Sequence, residues 1–162
     1  MSVHTTATDA EQDDGPLLDV RGLTTEFRTD AGSIVASNEV SFSLDRGETM
    51  GLVGESGAGK SVTARSIMRL IDSPGEITGG EVVFDGEDLL QKSDAEMRDI
   101  RGNRIAMIPQ DPMSSLNPVM TVGEQITETI RRHQDVSKSE ARRLAIESMD
   151  EVGIPDAEER ID

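Results

Sequence analysis

Eight consecutive residues carry the most specific chemistry in the chain: Gly54-Glu55-Ser56-Gly57-Ala58-Gly59-Lys60-Ser61. Their spacing matches G-x-x-x-x-G-K-[ST], a loop that cradles phosphate. Gly54, Gly57 and Gly59 admit backbone angles closed to other residues, so successive N–H groups can converge on one point. Glu55, Ser56 and Ala58 fill the variable positions and lend their amides to the same nest. Lys60 adds a mobile positive charge for the β- and γ-phosphates, and Ser61 a hydroxyl ligand for Mg²⁺. A helix starting near Lys60, with Val62 in its first turn, would add the positive end of its dipole. The competing reading is a glycine-rich strand-to-helix turn that happens to contain Lys-Ser. Chance places this pattern in a chain of this length at roughly one in a hundred. The loop therefore predicts binding of a nucleoside triphosphate, ATP being the default, with Mg²⁺.

Other candidates are weaker by themselves. Gln110 follows Ile108-Pro109, where a buried strand would end. A carboxamide there could hold a water and ligate Mg²⁺ through its oxygen, although a strand-end Gln is usually just solvated. Phe27 is one of three aromatic residues. It is either a core or hairpin ring or a surface for a stacked adenine. His4 and His133 read as solvated. Ser56 has no His–Asp partnership and is not a nucleophile. Met149-Asp150-Glu151 resembles the acidic end of a second nucleotide motif, but Glu147 and Ser148 interrupt the apolar run that such a strand needs.

The elements that must position these residues follow from periodicity. Met1 to Pro16 is polar and acidic and reads as a disordered tail, which leaves 17–162 as one domain. Leu18 and Val20 open a strand that continues loosely to Phe27. Thr29 to Ser33 is a turn, Ile34 to Ala36 a short strand, and Val40, Phe42 and Leu44 alternate as a half-buried strand. Met50 to Val53 is apolar on both faces, as a parallel strand covered by helices would be. A helix from Lys60 to Ile71 carries Ala64, Ile67, Met68 and Ile71 at helical spacing. Val82 to Phe84 reads as a strand, and Asp85-Gly86 as a hairpin turn into Asp88-Leu89-Leu90. Capping boxes at Ser93…Glu96, Thr121…Glu124 and Ser137…Glu140 announce three helices. Ile105 to Ile108 reads as another buried strand. Gly153, ahead of Pro155, stops the last helix.

Composition bounds the class. With 162 residues, three Phe and no Cys, Trp or Tyr, the chain predicts a single domain with an aliphatic core. It excludes a disulfide scaffold, a thiolate zinc site and a Cys nucleophile. No apolar run approaches the ~18 residues of a membrane span, and no secretory signal is visible, so a cytoplasmic protein is the default. The net charge of −16 argues against general binding to nucleic acid or anionic lipid. Only 3 of the 16 basic residues are Lys. A solvated acidic surface of that kind suits concentrated salt, which screens its self-repulsion.

Three stretches together resemble the ATP-binding subunits of ABC transporters, specifically the oligopeptide/dipeptide importer group. They are Gly51 to Ser61, Arg101-Gly102-Asn103-Arg104-Ile105-Ala106-Met107-Ile108-Pro109-Gln110-Asp111-Pro112-Met113-Ser114-Ser115-Leu116-Asn117-Pro118, and Val122-Gly123-Glu124-Gln125-Ile126. The resemblance implies an α/β P-loop fold: an antiparallel β-subdomain, a partial parallel core and the start of a helical subdomain. Gln110 would be the glutamine that senses the γ-phosphate and Mg²⁺. The loop through Pro118 would face membrane subunits, and Phe27 would stand where the family places an aromatic against adenine. Pro109 departs from the bulky residue expected there. Partners implied are two integral-membrane permease subunits, a second ATP-binding subunit and, indirectly, an extracellular solute-binding protein. The location implied is the cytoplasmic face of the plasma membrane. The family pattern continues with an L-S-G-G-Q-like signature, a Walker B strand, a catalytic Glu and a switch His. None occurs in these 162 residues, so the expectation is a domain that binds ATP without its catalytic half. The alternatives are an ABC-type ATPase not coupled to transport, a non-hydrolysing binding module and a P-loop kinase. The last lacks an Arg-rich substrate site.

Overall fold

The computed structural model describes residues 15–111 and 115–162. Most of the expected acidic tail, Met1 to Asp14 with His4, lies outside these residues, as do Pro112, Met113 and Ser114. The chain divides into two compact units, Met1–Ser93 and Asp94–Asp162.

The first unit is built on a four-stranded antiparallel sheet of order β2-β1-β3-β4, with β1 Leu18–Thr29, β2 Gly32–Leu44, β3 Gly75–Phe84 and β4 Glu87–Asp88. Alternation along β1 turns Val20, Leu23 and Thr25 inward and leaves Arg21 in solvent. The strands are longer than their hydrophobic patterns, because pairing with a neighbour continues the ladder through polar residues. β2 joins the two short strands expected at Ile34 and Val40 into one. An irregularity between Leu23 and Thr25 absorbs the mismatch. There Glu39 takes φ +49°, and its amide donates to Thr24 Oγ1 at 3.1 Å. Asp85 and Gly86 both have positive φ, the geometry that an Asp-Gly two-residue hairpin demands. The returning strand β4 is short. Leu89 lies in a 3₁₀ turn, Leu89–Gln91, and is fully buried; Val20, Leu23, Val82, Phe84 and Met68 are the other buried apolar residues among those described in this unit.

Helix α1, Lys60–Ile67, ends earlier than its apolar spacing suggests. Arg69 adopts φ +52°, and Leu70 N donates back to Arg65 O, closing the helix by a left-handed cap without glycine. The face it buries also differs from expectation. Thr63 and Ser66 are buried, whereas Ala64 is exposed. The sheet beneath offers hydroxyls rather than methyls: Thr25 Oγ1 lies 2.7 Å from Ser66 Oγ, and Ser37 Oγ 3.2 Å from Thr63 Oγ1.

The two buried parallel strands expected at Met50–Val53 and Ile105–Ile108 do not form. Met50, Leu52 and Val53 are exposed, Val53 at 90%, and so is Ile108 at 90%. A parallel strand needs hydrogen-bonded neighbours and cover on both faces. The one sheet among the described residues is the antiparallel one. A single bridge, Arg101 to Ile105, marks the second segment.

The second unit is helical: α2 Asp94–Ile100, α3 Val122–His133, α4 Lys138–Glu151 and α5 Ala157–Arg160. Ala145 and Met149 of α4 form a core with Ala157 and Ile161, covered by Ile126, Ile130, Ile146 and Ile154. Thr121 and Glu124 make the expected reciprocal capping box. At α4 only the hydroxyl half forms: Ser137 Oγ accepts from Glu140 N, while the Glu140 carboxylate takes Nε and Nη2 of Arg143 at 3.2 and 2.6 Å. Gly153, at φ +78°, ends α4 where the sequence places the stop. Met149-Asp150-Glu151 is helical, as its interrupted apolar run implies. Helix α5 has no periodic signal of its own; two buried positions, Ala157 and Ile161, are enough to dock it. No helix of the described residues is long and apolar enough to cross a membrane.

Candidate functional site

The phosphate-loop motif lies on an open stretch between Val53 and α1, with Gly54 to Ala58 exposed. Gly57 and Gly59 both sit at φ +84°, the left-handed region the motif reserves for glycine. Gly59 is also the N-cap of α1, so no side chain caps this helix, and its first turn holds no acidic residue. The leading amides thus have no side-chain acceptor competing for them, a donor set suited to an anion. A Cβ on Gly59 would lie 2.1 Å from Ala36 O, so the loop's last residue is pressed against β2.

Lys60 Nζ donates to Gly54 O and Glu55 O, each at 2.7 Å. The ammonium is therefore folded back over the loop and anchored by its main chain. Ser61 is exposed at the first turn of α1, and Val62 follows half-buried. These residues fit the group implied for them: amides and an ammonium for phosphate oxygens, and a hydroxyl for a hard cation.

The remaining sequence candidates fall elsewhere. Phe27 is half-buried; a Cβ on Gly75 would come within 2.7 Å of its Cε1 and 2.6 Å of Ile71 Cγ2. The ring therefore packs at Gly75, across β1 from its β2 partner Ile34. Gln110 belongs to the second unit, exposed on a bend after Pro109 instead of at the end of a strand. His133 is half-buried, and its Nε2 would lie 3.1 Å from a Cβ on Gly102. A concavity of about 500 Å³ along Gly75 to Gly80, lined also by Arg69 and Leu90, includes no phosphate-loop residue.

One residue of consequence escapes a reading by motif. The Gln125 carboxamide accepts from Asn117 N at 2.9 Å and donates to the carbonyls of Asn117, Met120 and Thr121 at 3.2, 3.3 and 3.4 Å. It holds together the loop that leads into α3. Only its place four residues beyond the Thr121 cap hints at this role. Three exposed ion pairs brace α4, one of them Arg143 with Glu147. Arg142 grips Asp162 through two bonds of 2.6 and 2.7 Å, holding that carboxyl below its usual range, and Arg143 does the same to Glu140.

The ABC transporter family model matches residues 37–162, which includes the phosphate loop, α1 and the whole helical unit. The chain belongs to the ABC transporter family. Among curated relatives, the oligopeptide transport ATP-binding protein OppD of Bacillus subtilis is 49% identical over 146 residues, covering 90% of this chain and 41% of that protein. A Brucella abortus protein named for peptide import and ATP binding is 52% identical over 147 residues, 91% of this chain and 44% of its own. The chain thus spans less than half the length of these relatives. Among solved structures, the ATP-binding cassette MJ0796, in a dimeric post-hydrolysis state bound to ADP and Pi, superposes with a TM-score of 0.73. It is 25% identical and covers 82% of this chain and 56% of that one. The fold is therefore that of an ABC cassette, present in part: its antiparallel sheet, its phosphate loop and helices of its helical portion.

Proposed function

We propose that this chain supplies the phosphate-binding part of the ATP-binding subunit of a peptide importer, with oligopeptides or dipeptides, or a related solute such as nickel, as cargo. The anchored ammonium of Lys60 at the uncapped start of α1 carries the nucleotide half of the reading. The names of the half-identical relatives support the transport half. Gly54 to Gly59 would surround the phosphates with amides. Lys60 would neutralise the β- and γ-oxygens, and Ser61 would ligand Mg²⁺. Bound Mg²⁺ would supply charge neutralisation between the β- and γ-phosphates. Phe27 we assign to packing against Gly75 and Ile71 in preference to stacking on adenine.

Hydrolysis also needs a group that orients or deprotonates water, and the 162 residues contain no motif that provides one. Turnover by this chain alone therefore stays far below the ~1 s⁻¹ of a typical enzyme. Action in a cell requires a second ATP-binding subunit and two permease subunits at the cytoplasmic membrane face. Calorimetric titration with MgATP tests the first half: the chain binds, and Lys60→Ala abolishes binding while its circular dichroism is unchanged. Undiminished binding by Lys60→Ala removes the assignment. Co-purification with two polytopic membrane proteins tests the second half; isolation with nucleic acid instead would favour an ABC ATPase without a transport role.

A further inference from the structure

Four buried hydroxyls lie between α1 and the β1–β2 hairpin, and their protons can be assigned by counting. Each hydroxyl has one hydrogen to give. Ser66 Oγ donates to Val62 O at 2.8 Å, so in the 2.7 Å contact with Thr25 it is Thr25 that donates. Thr63 Oγ1 donates to Gly59 O at 3.0 Å, so the 3.2 Å contact with Ser37 is filled by the Ser37 hydrogen, which is shared with the more distant Leu23 O at 3.4 Å. Both pairs run the same way: from sheet hydroxyl to helix hydroxyl to the helix carbonyl one turn back. Thr25, Ser37, Thr63 and Ser66 are all buried, which keeps water from competing.

The inner pair ends on a special carbonyl. Gly59 O accepts from Thr63 N at 2.8 Å as well as from Thr63 Oγ1, so it carries two hydrogen bonds. The same peptide unit ends in the Lys60 N–H, one of the uncapped amides at the start of α1. Loading the oxygen of a peptide polarises its N–H, and chains of such bonds reinforce one another. Gly59 is also fixed in place by its seat against Ala36 O. We infer that Thr63, loaded by Ser37, is a positioning residue for the nucleotide. It aims and strengthens the Lys60 amide as a phosphate donor, and so couples the antiparallel hairpin to affinity at the loop. This rests on the phosphate-loop reading above.

The outer pair is the internal control, being equally buried but ending on Val62 O, a turn further along the helix. MgATP affinity is measured by calorimetry on the full chain, alongside melting temperature. Thr63→Val is expected to weaken binding about fivefold, with Thr63→Ser restoring it to within about twofold. Thr25→Val and Ser66→Ala lower the melting temperature but leave affinity within about twofold. Should Thr63→Val fail to fold, Ser37→Ala carries the same test: its affinity falls and the Lys60 amide proton resonance moves upfield. Folded Thr63→Val or Ser37→Ala that binds like the wild type, while Lys60→Ala does not bind, overturns this inference alone. Equal affinity losses at the inner and outer pairs reduce it to general stability. Lys60→Ala binding as well as the wild type removes the nucleotide reading, and this inference with it.

Discussion

Gly59 and Gly57 share φ +84° but not their surroundings. A methyl on Gly57 meets open space, whereas one on Gly59 would collide with Ala36 O at 2.1 Å. The pair separates backbone strain from steric contact. Gly57→Ala is expected to cost about 1–2 kcal/mol, the price of a left-handed alanine. Gly59→Ala is expected to cost roughly 2–4 kcal/mol, because β2 must also move. Urea denaturation of the two variants checks the difference; equal losses would show that the contact with Ala36 yields freely. Phe27 gives a second test at this scale. If its ring packs against Gly75, Phe27→Leu lowers stability by up to about 1.5 kcal/mol and leaves MgATP affinity within about twofold. A tenfold loss of affinity without unfolding would give the ring back to adenine.

At the scale of elements, the helix termini of the second unit carry measurable weight. Thr121→Ala removes the hydroxyl that accepts from Glu124 N and should cost about 1 kcal/mol. The ion pairs on α4 set an acid response. Asp162 and Glu140 are both held below their ordinary range by Arg142 and Arg143. Carboxyls lowered in the folded state add stability above their unfolded values, near pH 4, and lose it as the pH falls through the lowered ones. Melting of the helical unit should therefore drop below about pH 4, and less steeply in Arg142→Ala. An identical acid profile in that variant would show the Asp162 pair to be inert. What the sequence foretold here was local. The capping box at Thr121, the Asp-Gly turn and the Gly153 stop each depend on a few adjacent residues. What it hid was decided by distant partners. The hydroxyl face of α1 is set by Thr25 and Ser37, the length of β3 by its pairing with β1, and the docking of α5 by a bare glycine at 123, whose amide donates to Ile161 O. The turn of the phosphate loop was legible because its glycines mark backbone angles, and Gly57 and Gly59 take them, whereas the strand expected ahead of it does not form. Gln125 was not legible, because a carboxamide reveals its four partners only once the loop is folded.

Across the whole molecule, charge and exposed apolar surface govern behaviour in solution. Every ion pair on α4 is solvent-exposed and gains little, while 32 acidic groups against 16 basic ones repel one another throughout. Salt weakens both, but the repulsion is the larger quantity. The melting temperature should therefore climb as KCl approaches molar concentration; a flat or falling curve would argue against adaptation to salt. Met50 to Val53 and Ala106 to Ile108 belong to no strand. Their amides should exchange with deuterium far faster than those of β1, whose neighbours β2 and β3 pair with it on both sides. Slow exchange at 50–53 would reveal a partner strand in solution.

The grip of two carbonyls on Lys60 separates charge from direction. An ammonium owns three N–H vectors, and Gly54 and Glu55 claim two of them. The third points where the main chain sends it, beyond the reach of substitutions on neighbouring side chains. Reductive dimethylation of this lysine keeps the positive charge but leaves a single proton. Such an adduct must abandon either its moorings or its guest, and it would bind nucleotide poorly for want of a vector.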